Sequence, residues 1–210
     1  MLIHPVLMMI GLTVLAIALI LYLLIEAFKS VGFTVYETLV LLPGSIVAFR
    51  FIPNIPIFPQ GNIVLCFNVA GCLIPLIISW QVLKTGRAPL GACIIGVVIV
   101  SIMANHLSSF VPGKGVIINN IYIPSLAACL ISIALSRKWE RIGPVSYVSS
   151  SMGILIGCDL LRLREILSYP SLITTYVTIG GAGIFDAIFV AGIVAIMMDI
   201  FVTTVMKVSE

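Results

Sequence analysis

The sequence predicts an all-α, polytopic integral membrane protein with about seven transmembrane helices, several of them interrupted. The first reason is composition, since 61% of the 210 residues are hydrophobic and only 9% are charged, a balance typical of membrane proteins. The second is the length of the uncharged runs, such as residues 51–83 and 88–113, because a spanning helix needs about 20 apolar residues. The third is that these runs are unbroken, whereas the strands of a membrane β-barrel alternate in polarity.

The spans follow one another through short connections that leave no room for a soluble domain, so we expect a single transmembrane domain over residues 1–210. The first apolar stretch is too long for the core of a signal peptide, and we interpret it as a retained span. The second span contains one charge, that of Glu37. We predict the seven spans at residues 4–25, 32–50, 62–83, 88–108, 117–136, 143–161 and 182–206.

Basic residues are unevenly distributed between the two sides of the membrane that these spans define. One side has Lys29, Lys84, Arg87, Arg137, Lys138, Arg141 and Lys207. The other side has Arg50, Lys114, Arg162 and Arg164. The positive-inside rule favours the first side as the cytoplasmic one, in a cell-membrane protein with its N-terminus outside and its C-terminus inside. No basic stripe accompanies the net charge of +3, so the lipid bilayer, and not nucleic acid, is the predicted partner.

Cysteine and histidine do not form a metal-binding pattern. The five cysteines are scattered through the spans without a C-x-x-C pair, and we interpret them as small packing residues. His4 and His106 are far apart and lack the spacing of metal ligands. The sequence therefore predicts no metal site and no cofactor.

Small residues mark the last two spans as closely packed helices. Gly153 and Gly157 form a G-x-x-x-G pair in the sixth span. In the seventh span a stripe at every fourth position consists of Gly183, Ala187, Ala191 and Ala195, with Asp199 next in line. Small residues let helix backbones approach each other in lipid. We expect these spans to pack against each other or against a neighbour, which a homo-oligomer would also supply.

Proline, glycine and asparagine interrupt the apolar runs at three places. Prolines at every third position of residues 53–59 exclude a regular helix and predict an extended segment. The sequence NVAGCLIP places Asn68 inside a span, and residues 105–115, beginning with Asn105, end another span in turn-forming residues. Irregular backbone at membrane depth is tolerated where protein or trapped water satisfies it. Two interpretations stay open: the breaks line a cavity, or they are ordinary kinks and helix ends.

Two aspartates are candidates for a catalytic pair. Asp159 closes the sixth span and Asp186 opens the seventh, so both lie on the same face of the membrane. Two carboxyl groups about 3–5 Å apart in a low-dielectric site do not both ionise easily, and such a dyad can supply a general base and a general acid. Asp199 lies 13 residues beyond Asp186, about 20 Å along a regular helix, and does not join that site.

A purely structural interpretation of the same aspartates also stays open. Asp159 precedes Arg162 by three residues, the spacing of a helical ion pair. Asp186 follows a glycine-rich stretch, where the dipole of a helix N-terminus favours a carboxylate. On a regular helix Asp159 also lies about 160° from the G-x-x-x-G face, so it points away from whatever that face contacts.

The motifs IGCDLL (156–161) and IGGAGIFDAIFVAGIVAI (179–196) resemble the paired motifs of a prokaryotic family of multi-pass membrane proteins, catalogued as domain of unknown function sixteen-fourteen. The elements NVAGCLIP and PGKG follow the order of that family's other motifs. The resemblance covers the chain from about residue 40 onward. It implies a membrane fold and carries little functional knowledge with it.

The two aspartate motifs are remotely similar to those of the presenilin and signal-peptide-peptidase group of intramembrane aspartyl proteases. In that group each of two consecutive spans carries one Asp, the second within G-x-G-D. Here Gly181, Gly183 and Asp186 form G-x-G-x-x-D, two residues longer, and no Pro-Ala-Leu element follows. The resemblance implies that Asp159 and Asp186 hydrolyse a peptide bond of a transmembrane substrate. Gly180, Gly181 and Gly183 would then allow close approach of backbone or substrate.

Two further hypotheses belong to other functional classes. In the first, the protein is a small ion- or proton-coupled transporter or channel component, with Asp186 at a broken helix and Glu37, Asn68 and Asn105 lining the path. In the second, it is a structural membrane subunit whose aspartates only anchor helix ends.

Overall fold

The computed structural model describes residues 5–30, 32–111, 115–136, 141–170, 174–180 and 187–208, and these are mostly helical. The α-helices are α1 (Pro5–Ser30), α2 (Val35–Leu39), α3 (Ser45–Phe51), α4 (Ile74–Lys84), α5 (Leu90–Leu107), α6 (Tyr122–Leu135), α7 (Ile142–Ile154), α8 (Leu163–Leu167) and α9 (Ala187–Val208). Three π-helical segments extend them: Val40–Gly44, Val69–Leu73 and Leu155–Leu160.

Three helical stretches are long and apolar enough to cross a membrane: Val6–Ser30, Leu90–Leu107 and Ile142–Leu167. Three shorter apolar helices accompany them: Val69–Lys84, Tyr122–Leu135 and Val190–Val202. The helical character of the predicted fold is confirmed in this part of the chain. Seven membrane passes remain a prediction.

The prediction of a purely helical chain is wrong, because five strands are present among the described residues. They are β1 (Ile55–Gln60), β2 (Ile63–Phe67), β3 (Ser108–Val111), β4 (Gly115–Ile118) and β5 (Thr175–Ile179). In one sheet β2 pairs antiparallel with β1 and parallel with β5, and in the other β3 pairs antiparallel with β4. Parts of three predicted spans are therefore strand, namely residues 63–67, 108 and 117–118, since a short apolar run looks the same in a buried strand and in a helix.

The proline-rich segment is extended, as predicted. Pro56 and Pro59 lie in β1, an edge strand of the sheet, where a missing backbone N–H is tolerated. Gly61, with φ +57°, makes the tight turn to β2. Strands β2, β4 and β5, the ends of α5 and α7 and the start of α9 contribute to one apolar cluster, and we call this end of the helical bundle the strand end.

Helix α7 lies at the centre of the bundle. It packs against α4, α5, α6 and α9, and every residue in it except Met152 is buried. The G-x-x-x-G face meets α5: a Cβ added to Gly153 would lie 2.5 Å from a Val100 methyl carbon, and one added to Gly157 would lie 2.4 Å from the Ser101 carbonyl oxygen. Helix α7 therefore uses its glycines to contact α5, and it meets α9 through a different face.

The small-residue stripe of α9 is buried in the bundle. Ala191 and Ala195 have no exposed surface, and Gly192 sits against α7, where an added Cβ would lie 2.4 Å from Ser151 Oγ. The expected close packing of the last two long helices is present. Gly183, at the start of the predicted stripe, lies outside the described residues.

Helix α1 contrasts with this core. All side chains of residues 6–20 are exposed, and burial begins near its C-terminal end, where Phe28 stacks edge-on against Phe33 at 5.8 Å. Most of this apolar helix therefore projects beyond the described protein core.

Candidate functional site

The predicted aspartate pair is only partly within the described residues. Asp159 lies half-buried in the π-helical segment Leu155–Leu160, which continues α7. A π-helix turns by about 82° per residue, so the two residues from Gly157 to Asp159 still rotate by about 164°, and Asp159 lies on the side of the helix opposite Gly157 there as well. Asp186, Gly181 and Gly183 lie outside the described residues.

Chain neighbours of the two aspartates contribute to the same apolar cluster. Cys158 and Ile188 belong to the apolar cluster of the strand end, and Ala187 packs against it. Asp159 follows Cys158 directly and Asp186 precedes Ala187 directly, with about 3.8 Å between consecutive Cα atoms. The described chain neighbours of the predicted pair therefore belong to, or pack against, one cluster.

Gly180 is the described member of the predicted glycine set. Its φ is +70°, and a Cβ added there would lie 2.7 Å from the backbone nitrogen of Cys72. The end of β5 therefore passes directly over the π-helical segment Val69–Leu73, where only glycine fits. The close approach that the structure shows at this position is between two backbone segments.

Glu37 belongs to a buried ion pair. Its carboxylate has no exposed surface and accepts hydrogen bonds from both terminal nitrogens of Arg87, one of them at 2.6 Å. Thr34 and Glu37 also form a capping box at the start of α2, in which each side chain accepts from the other residue's backbone N–H. Arg87 donates in addition to the carbonyl of Gly32. These contacts join the start of α2 to the connection before α5.

The two asparagines have local roles at the strand end. Asn68 accepts from the backbone of Gly71 at 2.9 Å and donates to the side chain of Asn54 at 2.7 Å. The carbonyl of Asn105 accepts from Arg162 at 2.8 Å. Asn105 lies about 22 Å along α5 from the helix start that adjoins Arg87, so the structure does not bring it together with Glu37.

Arg162, which follows the π-helical continuation of α7, forms hydrogen bonds with residues at the end of α5. It donates to the carbonyls of Asn105 and Ser108 and to the hydroxyl of Ser108, and it forms an ion pair with Glu165 at 3.0 Å. These interactions satisfy helix-terminal carbonyls that would otherwise lack a donor.

An open cavity of about 370 Å³ adjoins the strand end. Asn119, Asn120 and Tyr122 line it together with Ala187, the residue that follows Asp186.

Sequence reasoning gave no site role to Asp199, which is fully buried in the described core, as Glu37 is. It has no exposed surface, and Ser132 Oγ lies 3.2 and 3.4 Å from its two carboxyl oxygens. Cys129 of α6 and Ser146 of α7 also lie beside the carboxyl group. The signal that would have found it is its position next in line on the stripe of small residues, since that stripe faces the bundle interior.

Buried hydroxyl groups surround the central helix. Ser149 of α7 faces Gly96 of α5, and Ser151 faces Gly192 of α9. Within the described part of the chain, several buried hydroxyls have no hydrogen-bond partner, namely those of Ser79, Ser101, Ser146, Tyr147, Ser149 and Ser151. We call this set the hydroxyl seam.

The chain matches the family model described as a protein of unknown function, DUF1614, over residues 40–198. It belongs to the DUF1614 family. No curated protein and no solved structure matches it. The matched range contains all of α7 and its π-helical continuation, whereas α1 and α2 precede it and Asp199 follows its last residue.

Proposed function

We propose that this DUF1614 protein is a small membrane transporter or channel component that passes ions or small polar solutes along α7. The observation that carries the proposal is the hydroxyl seam around a helix that is buried on all sides. In this proposal the polar path runs through the centre of the bundle, and Glu37, Asn68 and Asn105 have the structural roles described above.

The free-energy cost of leaving a buried hydroxyl without a partner supports a path that contains water. A buried hydroxyl without a partner costs about 1–3 kcal/mol, and such groups are normally satisfied by ordered water or a ligand. Serine also serves as a small packing residue between membrane helices, where its hydroxyl bonds to a backbone carbonyl. Ser125 of α6 does this, since it is fully buried and donates to the carbonyl of Ile121 at 2.9 Å. The hydroxyls of Ser149 and Ser151 form no such bond.

Ser125 therefore offers a matched control for a transport assay. The purified protein is reconstituted into liposomes, and fluxes of protons, monovalent cations and small polar solutes are measured. We expect flux through the wild type, a large loss in the double variant Ser149→Ala plus Ser151→Ala, and wild-type flux in Ser125→Ala. Each single substitution removes one hydroxyl and keeps the side chain small, so a packing role alone predicts equal flux in the wild type, the double variant and the control. A folded wild type that conducts none of these species would sink the proposal and leave a structural subunit.

A second candidate function is intramembrane aspartyl-protease-like hydrolysis by Asp159 and Asp186. It is favoured by their chain neighbours, since Cys158 belongs to the apolar cluster against which Ala187 packs, and Ala187 also lines an open cavity. A transmembrane peptide would be the substrate, with one carboxyl group as base toward water and the other as acid toward the leaving amine.

Binding of a transition-state analogue of aspartyl proteases tests this second candidate, because such analogues bind far more tightly than substrates. We expect saturable binding to the wild type and to Asp199→Asn, and loss of binding in both Asp159→Asn and Asp186→Asn. A well-folded wild type that binds no analogue would rule the protease out.

A further inference from the structure

The hydroxyl seam is divided between two faces of α7. Ser149 and Ser151 are two residues apart, so on a regular helix they lie on nearly opposite sides. Ser149 meets α5 at Gly96, whereas Ser151 meets α9 at Gly192. Tyr147 precedes Ser151 by one helical turn and shares its face, since a Cβ added at Gly192 would also lie 2.7 Å from the Tyr147 ring. Tyr147 and Ser151 are therefore neighbours on the side of α7 that packs against α9.

The hydroxyl groups of Tyr147 and Ser151 are buried beside each other without a hydrogen bond between them. Neither side chain has exposed surface, and the Ser151 hydroxyl lies next to that of Tyr147. Neither hydroxyl has a hydrogen-bond partner in the part of the chain that the structure describes. A buried tyrosine hydroxyl normally finds a partner, because burial removes the water that would otherwise bond to it. The pair therefore offers two oxygen atoms to a ligand that is small enough to reach them.

The ring of Tyr147 is held in place by the aromatic residues that connect α1 to α2. Phe33 packs edge-on against this ring, with the two ring centroids 5.6 Å apart, and Phe28 packs edge-on against Phe33. The phenol oxygen therefore has a fixed position. A ligand that binds to it does not have to order the side chain first, which lowers the entropic cost of binding.

The charge next to this pair favours a cation. The carboxylate of Glu37 acts electrostatically on the Tyr147 hydroxyl. It is fully buried and is held by Arg87, which reaches it from the connection between α4 and α5. The electrostatic influence on Tyr147 comes from the carboxylate end of this ion pair. A negative potential in a low-dielectric interior attracts a cation and repels an anion.

The packing of α9 limits the size of the ligand. A Cβ added at Gly192 would lie 2.4 Å from Ser151 Oγ, so not even a methyl group fits between the α9 backbone and this hydroxyl. Sugars, amino acids and peptides are too large for such a site. Divalent ions prefer several charged oxygen ligands, whereas this pair supplies neutral hydroxyls. A monovalent cation fits, because protein oxygen atoms can replace part of its hydration shell.

We propose that the hydroxyl groups of Tyr147 and Ser151 bind a small monovalent cation between α7 and α9, where the Glu37 carboxylate supplies the favourable charge. This inference rests on the proposed transport function and names its substrate class: sodium, potassium or ammonium ions pass along the α9 side of α7. Glu37 keeps its structural role, since it acts on the ion through its electric field while it remains bound to Arg87.

Cation binding to the purified protein tests the site without a transport assay. Titration calorimetry in detergent compares sodium, potassium and ammonium chloride with N-methylglucamine chloride, whose cation is too large, at equal ionic strength. We expect saturable binding of a small cation to the wild type. The affinity should be about tenfold lower in Tyr147→Phe and in Ser151→Ala, because each variant loses one oxygen ligand. A well-folded wild type that binds none of the three small cations overturns the proposal.

Ser150→Ala is the matched control for these variants. Ser150 lies on the same helix and is equally buried, but its hydroxyl donates to the carbonyl of Tyr147 at 3.2 Å. Its loss should leave the cation affinity at the wild-type value. Tyr147→Phe keeps the ring and its contact with Phe33, so a packing role alone predicts wild-type affinity in that variant too. Wild-type affinity in both Tyr147→Phe and Ser151→Ala overturns the site. If Tyr147→Phe does not fold, the difference between Ser151→Ala and Ser150→Ala decides.

Ion flux in liposomes separates the failure of this site from the failure of the transport function. If a small cation binds with the expected variant pattern and the folded wild type carries no flux, transport fails and the binding site stands. If the wild type passes anions or neutral solutes in preference to small cations, transport stands and the proposed site fails. The site also fails if cation flux in Tyr147→Phe and Ser151→Ala equals that of the wild type.

Discussion

Helix α1 and the helix that begins as α7 have the same length and opposite surroundings. Each is part of a stretch of 26 residues. In the most apolar 18-residue window of each stretch, none of the residues of α1 is buried, whereas 72% of the residues in the window within Ile142–Leu167 are buried. Helix α1 is almost purely aliphatic along residues 6–20, whereas α7 contains four serines and two glycines. The more apolar helix lies outside and the more polar one at the centre, which is the order expected of a protein whose exterior faces lipid.

The largest expected effect is the difference in unfolding free energy lost when each of two ion pairs beside these helices is broken. Glu37, near Tyr147 of α7, has no exposed surface, so Arg87→Gln leaves a buried carboxylate without its partner and should cost about 3–5 kcal/mol of unfolding free energy. Lys29→Gln breaks the exposed Glu26–Lys29 pair of α1 and should cause no measurable change. Reversible unfolding in mixed micelles measures both variants. Equal results would show that Glu37 does not depend on Arg87.

The second effect comes from adding one methyl group to each helix. In Gly157→Ala the new Cβ would lie 2.4 Å from a backbone carbonyl oxygen of α5, so α5 or the helix must shift, at a cost of about 1–3 kcal/mol. In Gly11→Ala no atom lies within 4 Å, and the higher helix propensity of alanine should add up to about 1 kcal/mol. The two changes are chemically identical and are expected to differ in sign. Thermal unfolding of the two variants in one detergent decides this, and a loss of stability in both would mean that α1 is packed.

The smallest effect is expected for a large-to-small change on the exposed helix. Leu15 is 65% exposed, so Leu15→Ala should change the unfolding free energy by no more than about 0.5 kcal/mol. A fall of more than 1 kcal/mol that grows with protein concentration would contradict this prediction. It would show that α1 packs against a second copy of the chain.

Several parts of the fold were predictable because they depend on local chemistry. Prolines at every third position of residues 53–59 exclude a helix in any context, and this segment is extended. Residues 63–67 were not predictable in the same way, because their strand character comes from pairing with β5, more than 100 residues later. Hydropathy reports only that such a run is apolar, and a buried strand and a spanning helix are equally so.

The candidate sites differ in the same way, since one is predicted from local sequence and the other depends on tertiary packing. The aspartate pair is predicted from motif spacing, and the structure adds that Cys158 belongs to a cluster against which Ala187 packs. Asp199 is excluded from the predicted pair because it lies about 20 Å along the helix from Asp186. That distance says nothing about the side chains that surround Asp199 itself. One of these is Ser132, which is 67 residues away in sequence and reaches it only through the packing of α6 on α9.

The sequence alone determined that this is a mostly helical chain with apolar stretches long enough to cross a membrane, since hydropathy and helix-breaking residues act within a few positions of each other. Only the tertiary structure decided which apolar helix is enclosed, which glycines contact a neighbour, and which acidic group is buried. The physical reason is that burial and hydrogen bonding are properties of pairs of segments. A serine whose hydroxyl bonds to a backbone carbonyl is a packing residue, whereas a serine whose hydroxyl has no such partner offers a polar lining.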